Sequence, residues 1–326
     1  MRSVSKAIVC SVLALVGFFQ VQAQAQPAAY PERPIKVITP TAPGTAADGV
    51  SRFVADRLAR ELKGIVTVEN KTGANGIIAM DFVAKSPSDG YTLLMAPSTF
   101  YINKALYAKL PYDPIADFIP VAKTVAAYLV LVVPASSPFN SVKELIEHMR
   151  ANPNALSYSS AGNGSVTHIA PALLFAMAGV KGIHVPYKGG DMAVTDTIGG
   201  QVAMTFTAVA TANSHIRTGR MKALAVTGPH RSSALPDVPA LAELGFKGYS
   251  VVSNLGFIAP KNTSPQIVNR LSAAILKIGQ TPEFADYANG NGLELELAGS
   301  SAYAGAAKAE LDLWAKAVAL SGAKVD

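Results

Sequence analysis

Cysteine, tryptophan and charge are all scarce in this chain, and each scarcity excludes something. The 326 residues contain a single cysteine, Cys10. An intrachain disulfide is therefore impossible, and zinc or iron–sulfur sites of the thiolate kind are excluded. Charged residues make up only 15% of the chain and leave a formal net charge of +6, too weak and dispersed to argue for nucleic acid. That mild basicity does suit an anionic ligand. His148, His184, His215 and His230 are scattered along the sequence, so no metal cluster is proposed and no cofactor motif is read. Beyond the N-terminus no apolar run approaches membrane-spanning length. The segment YLVLVV at 128–133 is long enough only for a buried strand, so the mature chain is not expected to be membrane-embedded.

The N-terminus itself has the order of a secretory signal. A basic start, MRSVSK, precedes the apolar run AIVCSVLALVGFF and then VQAQAQ, with small residues at Ala23 and Ala25. About 13 apolar residues are too few to span a bilayer, so residues 1–25 are expected to be cleaved after Ala25 on export to the periplasm. Cys10 leaves with this segment, as do Arg2 and Lys6, which lowers the formal charge from +6 to +4. The remaining length, about 300 residues, is enough for a large core and usually divides into two lobes. With no low-complexity linker or repeat, the lobes must be joined by short structured crossings.

Strand and helix signals alternate along the chain. PIKVITP reads as a strand, and after a loop Asp48 reads as the N-cap of a helix with Val50, Phe53, Val54, Leu58 and Leu62 on one face, ending at Gly64. IVTVEN, YTLLMAPS, AAYLVLVVPA, LSYSSAG, GIHVP, VAMTFTA and MKALAVTG read as further strands. GIIAMDFVAKS, SVKELIEHMRANP, VTHIAPALLFAMAG and a segment near 191–198 read as helices, with Ser141 and Glu144 spaced as a capping box. This alternation implies an α/β fold with mostly parallel sheets.

In such sheets ligands gather at the carboxyl ends of strands, where helix N-termini point. Two loops have that position and a small-residue composition: TPTAPGTAAD at 39–48 and SSAGNGSVTH at 159–168. Each lets backbone approach a ligand closely and is followed by a helix whose free N–H groups favour an anion. Sharper readings of the second loop fit poorly. It lacks the lysine of a P-loop, and a dinucleotide fingerprint would need glycine at Thr167. It does not match the G-x-S-x-G elbow of hydrolases. Ser165 and His168 could share a helix face as nucleophile and base, but no orienting carboxylate or oxyanion hole is identifiable. A ligand-free structural turn, with Ser165 as helix cap, is the remaining alternative to anion binding.

From Tyr30 onward an ordered series of motifs also carries a resemblance. YPERPIKVITPTAPGTAADGVSR, VENKTGANG, AKSPSDGYTLLMA and LYAKLPYDPIADFIPVA come first. SYSSAGNGSVTHIA, GIHVPYKGGDMAVTDTIGGQV, IRTGRMKALAVTGPHRSSALPDVPALAELGFKGY and AELDLWAKAV complete the series. Together they resemble the substrate-binding receptors of tripartite tricarboxylate transport systems, the Bug family. The resemblance implies a type II periplasmic binding-protein fold, in which two α/β lobes close around a ligand cleft. It places lobe 1 at 26–124 and 228–326 and lobe 2 at 125–227, with crossings near Thr124–Ala126 and Val226–Gly228. It also implies a non-enzymatic, monomeric receptor that needs no cofactor and passes a small carboxylate, a dicarboxylate or an aromatic acid, to membrane permease subunits. A receptor presenting its ligand to a membrane kinase, or a Ser165/His168 hydrolase, are the alternatives.

The clamp implied by the family draws on Thr41, Ala42, Pro43, Gly44, Thr45 and Asp48 from one loop. From the other come Ser160, Gly162, Asn163, Gly164, Ser165 and His168. Ser98, Thr99, Gly189, Thr207 and Ala208 are further candidate walls, whereas Lys188, Arg217 and Arg220 read as solvated. Asp48 reads as ordering its own loop more than touching an anion. The sequence departs from the family pattern PFPPGG at Thr41 and Thr45, and Asn254 stands where a tryptophan is common. These changes imply a larger or more polar cleft. Thr45 also puts the loop geometry in question, because a β-branched residue resists positive φ.

Overall fold

The computed structural model describes residues 30–323, so the expected signal peptide at 1–25 lies outside the described residues. The first half of the chain forms β1 (Ile35–Thr39), α1 (Ala46–Leu62), β2 (Val66–Asn70), α2 (Ile77–Ala84), β3 (Thr92–Ala96), α3 (Thr99–Leu106) and β4 (Phe118–Pro134). Then come α4 (Val142–Ala151), β5 (Ser157–Ser160), α5 (Val166–Ala178), β6 (Ile183–Pro186), α6 (Gly190–Ile198), β7 (Met204–Ala208), α7 (Val209–Arg217) and β8 (Met221–Val226). The chain closes with β9 (Val252–Pro260), α8 (Pro265–Gly279), α9 (Pro282–Gly290), β10 (Leu293–Gly299) and α10 (Ser300–Ser321).

Local chemistry accounts for the element ends. In α1 the buried stripe Val50, Val54, Leu58 and Leu62 faces the sheet, as its helical spacing dictates. Its N-cap is Thr45 and not Asp48: Thr45 is extended (φ −73°, ψ 162°), and its hydroxyl accepts the Asp48 N–H. A hydroxyl placed one residue before the helix can reach back to the N3 amide, which Asp48 occupies. At the other end the left-handed residue is Lys63, φ 54°, one position earlier than the expected Gly64. In α4 the Ser141 hydroxyl caps the Glu144 amide at 3.2 Å. The Glu144 carboxylate bonds the Asn140 amide at 2.8 Å, so the reciprocal half of the capping box is displaced by one residue.

β4 organises everything else. It runs unbroken for 17 residues through both halves of the sheet system, and nearly every side chain on it is buried. Along Phe118–Tyr128 it pairs antiparallel with β9, and along Ala122–Ala127 with β10. Along Leu129–Pro134 it pairs antiparallel with β7 and β8. Parallel ladders lie outboard: β2-β1-β3 beyond β9, and β5 with β6 beyond β7. The expected parallel units are thus present, and β4 and β9 add antiparallel joints between them.

Direction follows from these pairings. β3 is antiparallel to β9, which is antiparallel to β4, so β1, β2 and β3 run the same way as β4. β7 is antiparallel to β4 and carries β5 and β6 with it, so these three run the opposite way. The carboxyl ends of the two parallel ladders therefore point at each other across the middle of β4. Behind them α10 packs on α3, on α5 and on β4. Its Trp314, the only tryptophan in the chain, is 1% exposed within one apolar cluster that includes Ile38, Leu94, Leu145 and Phe175.

Candidate functional site

The facing carboxyl ends bring together most of the residues expected from sequence. Thr41–Thr45 follow β1, Ser98 and Thr99 follow β3, and Gly162–Ser165 follow β5. Gly189 follows β6 as the residue before α6, and Thr207 and Ala208 end β7. The register on β4 fixes how closely the two sides approach. Ser98 bonds Val252, which pairs with Tyr128, and Ala208 pairs with Leu129, the next residue on β4.

In the first loop Gly44 takes the left-handed turn (φ 84°), which leaves Thr45 extended and unstrained. The concern raised by a β-branched residue here is thereby resolved. Thr41 and Thr45, the two departures from the family pattern, bond each other Oγ1 to Oγ1 at 2.7 Å. The Thr45 hydroxyl donates to the Ala42 carbonyl at 2.9 Å. Asp48 lies behind the loop, 3% exposed. Its carboxylate accepts the Gly44 N–H at 3.0 Å, the Asn70 amide at 2.8 Å and the Arg52 Nε at 3.1 Å. Asn70 also donates to the Thr41 carbonyl at 3.0 Å. Burial alone would raise the Asp48 carboxyl. The hydrogen bonds from Arg52, Gly44 and Asn70 outweigh burial and hold it below the usual carboxylate range. Asp48 is thus an ordering residue whose charge is already matched by Arg52.

The second loop is built on two positive-φ glycines, Gly162 (126°) and Gly164 (74°). Ser165 accepts no helix amide. Its Oγ lies 2.7 Å from the Gly162 carbonyl and 2.9 Å from Thr167 Oγ1. His168 is 7% exposed, and its Nδ1 accepts the Gly164 N–H at 3.2 Å, not a serine proton. The Ser165–His168 relay that the hydrolase alternative would need is therefore not formed. Ser160 is buried, and its hydroxyl links the Gly162 amide to His184 Nε2. His184 is therefore not an isolated histidine.

With Gly44 and Gly164 amides engaged internally, the open donors are their neighbours. Among the described residues no partner is found for the N–H groups of Ala46 and Ala47 at the start of α1. The same holds for Asn163, and for Val166 and Thr167 at the start of α5. Helix N-termini leave such amides free by construction, and the helix dipole adds a partial positive charge there. No lysine or arginine belongs to either loop.

The outer candidates differ among themselves. Ser98 is 1% exposed, with its hydroxyl engaged by the Val252 carbonyl, the Asn254 amide and Glu310. Asn254 lies beside the Glu310 carboxyl, which burial raises above its ordinary pKa although Asn254, Lys123, Trp314 and Ser98 pull it down. The residue standing in a family tryptophan position is thus tied to α10. Thr99 opens α3 half-buried, Thr207 is 6% exposed, and Lys188, Arg217 and Arg220 are exposed as expected.

Comparison with known proteins decides the family. The model of the tripartite tricarboxylate transporter family receptor matches residues 50–320. The chain belongs to the tripartite tricarboxylate transporter receptors, the Bug family. BugT of Bordetella pertussis is 32% identical over 320 residues, covering 96% of this chain and 98% of the relative. A protein of Pseudomonas sp. strain P51, described as the UPF0065 protein in the tcbD-tcbE intergenic region, is 37% identical over 291 residues, covering 89% and 87%. Among solved structures, an R. palustris protein with adipate superposes with a TM-score of 0.82 at 29% identity, covering 91% of this chain and all of that one (100%). MatC from Rhodopseudomonas palustris with bound malate gives 0.77 at 28%, covering 89% and 100%.

As a Bug-family member the chain is a periplasmic-type solute-binding receptor and not an enzyme. No helix among the described residues is long and apolar enough to cross a membrane. Sequence reading missed three residues of the site. Arg52 was legible, four positions after Asp48 on one helix face. Asn70 becomes a neighbour only through the Thr39–Asn70 pairing, and His184 only through Tyr158–His184.

Proposed function

We propose that this receptor closes on a small dicarboxylate between the loops 41–45 and 161–165 and delivers it to the permease of a tripartite tricarboxylate-type transporter. The observation carrying this reading is the pair of helix N-termini, α1 and α5, opposed across β4 with unpartnered amides and no basic side chain in either loop. Fixed N–H dipoles receive a carboxylate without the desolvation cost of burying a guanidinium, several kcal/mol per ion. Each hydrogen bond to the charged acceptor contributes about 1.5–3 kcal/mol. Two such ends match a ligand with a carboxylate at each end, and adipate and malate, bound by two structural neighbours, are of that class. Thr41, Thr45 and Asn163 supply polar groups beside the clamp, with Thr99, Gly189, Thr207 and Ala208 around it. Residues 26–124 and 228–326 form one lobe and 125–227 the other, in a monomer, and closure occurs where β4 passes between them.

A thermal-shift screen against aliphatic and aromatic mono-, di- and tricarboxylates tests this, with the matching neutral amides as controls. A ligand binding only the folded state stabilises it by about 2.7 kcal/mol at 100 times its dissociation constant. The expected result is a clear shift for a dicarboxylate that its diamide does not give. Equal shifts for acid and amide, or none for any carboxylate, would overturn the reading.

A further inference from the structure

The second loop rests on an unusual support. His168 of α5 and His184 of β6 stack face to face, ring centroids 3.8 Å apart and planes 4° from parallel. Tyr158 of β5 flanks the pair, its ring centroid 5.0 Å from that of His184 and 6.4 Å from that of His168. Each imidazole holds one glycine of the loop. His168 Nδ1 accepts the Gly164 N–H directly at 3.2 Å, and His184 Nε2 lies 2.6 Å from the Ser160 hydroxyl, which accepts the Gly162 N–H at 3.1 Å. An acceptor at Nδ1 requires neutral His168 with its proton on Nε2.

We propose that His168 and His184 are positioning residues that fix Gly162 and Gly164, and so aim the open Asn163, Val166 and Thr167 amides at ligand, and that the loop is competent only while both imidazoles are neutral. A proton on His168 Nδ1 would face the Gly164 N–H donor to donor, and two stacked imidazolium rings would repel at contact distance. Among the described residues, the groups packed around the pair offer no free compensating charge. Tyr158 is the titratable group on β5, and burial pushes it up to about 12. Asp196 of α6 already accepts the Tyr187 hydroxyl at 2.7 Å. From α10, which packs on α5, Glu310 is engaged with Ser98, and Arg150 of α4 bonds the Ala178 carbonyl at the far end of α5. Burial lowers His168. Burial, and then the charge of His168, lower His184 to about 4. Both rings are therefore neutral above the ordinary histidine pKa, and the loop's support is lost as pH falls through the depressed range.

The binding half of this proposal rests on the function proposed above; the loop half can be read without ligand. In the ligand-free protein, nitrogen-15 NMR of the histidine rings and of the Gly164 amide is followed from about pH 8 to about pH 4. The expected result is a proton-free Nδ1 on His168 and a Gly164 amide whose shift tracks the His168 titration, with a midpoint below about 6.5. A protonated Nδ1 at neutral pH, or a Gly164 amide indifferent to that titration, overturns the proposal. The second readout is adipate or malate affinity. His168→Leu should weaken it about tenfold or more, and His168→Asn, whose Oδ1 can replace Nδ1 as acceptor, should recover most of that loss. The ratio of wild-type to His168→Asn affinity, in which the ligand's own titration cancels, should fall about threefold or more from about pH 7.5 to about pH 4.5. A ratio that stays flat contradicts the proposal. If no carboxylate binds at any pH, the binding reading fails, and the NMR result still decides whether the pair sets the loop.

Discussion

Asp48→Ala is expected to destabilise the protein by about 2–4 kcal/mol and to weaken carboxylate binding by about tenfold or more. Its carboxylate accepts from Gly44, Asn70 and Arg52, and Asn70 in turn holds the Thr41 carbonyl, so one truncation releases both ends of the first loop. The Arg52 side chain is 52% exposed, so that ion pair is screened and contributes the smaller share. The exposed Gly44 N–H and the half-buried Asn70 amide both lose the buried Asp48 carboxylate that fixes them, and that loss of loop order contributes most. The sign with pH is fixed by the depressed Asp48 carboxyl. Its stabilisation is present above the unfolded value of about 3.9 and is lost as pH falls through the lower folded value. Chemical denaturation of both proteins should therefore show the full deficit at neutral pH and a shrinking one below about pH 4. Asp48→Asn, which keeps one acceptor, should fall between the two. A variant as stable as wild type at neutral pH would mean that the loop does not depend on this carboxylate.

Gly228→Ala is expected to cost about 3 kcal/mol and to lower the melting temperature by roughly 5–10 °C. A Cβ at Gly228 would lie 2.0–2.4 Å from three carbons of the Tyr128 ring. That ring has no room to retreat: Tyr128 is fully buried in β4, and its hydroxyl lies 3.2 Å from His230 Nε2. The position matters because Thr227 bonds Leu129 and Val251 bonds Thr227, so the segment leading from β8 to β9 is tied to β4 here. Shrinking the ring should relieve the clash, so Gly228→Ala with Tyr128→Leu should be less destabilised than the sum of the single changes. Strict additivity, or an unchanged melting temperature for Gly228→Ala, would show that the glycine is not held against the ring.

Much of this fold is legible in the sequence because it is local. The stripe of α1, the buried run of β4 and the helix after the GNG loop follow from side-chain period alone. Caps are less legible. Thr45 and Asp48 are both acceptable N-cap residues, and only the backbone angles decide between them. Beyond Gly228 the pattern is weaker, and β9 and β10 become strands by pairing with distant β4. The same non-locality hid the supports of the site. Asn70, His184 and Glu310 are ordinary residues in sequence, brought beside Asp48, Ser160 and Ser98 by strand register and by the packing of α10. The loop glycines, by contrast, announce themselves, because left-handed turns at Gly44, Gly162 and Gly164 leave little choice of residue.

Hydrogen–deuterium exchange with and without the carboxylate giving the largest thermal shift, adipate and malate first, tests the clamp most directly. The account predicts protection in both halves together, at Ala46–Asp48 and at Asn163–Thr167, with smaller effects elsewhere. Protection of one loop alone would contradict it. So would protection centred on the groove of about 570 Å³ between α4 and β8, lined by Val142, Ile146, Leu224 and Phe246.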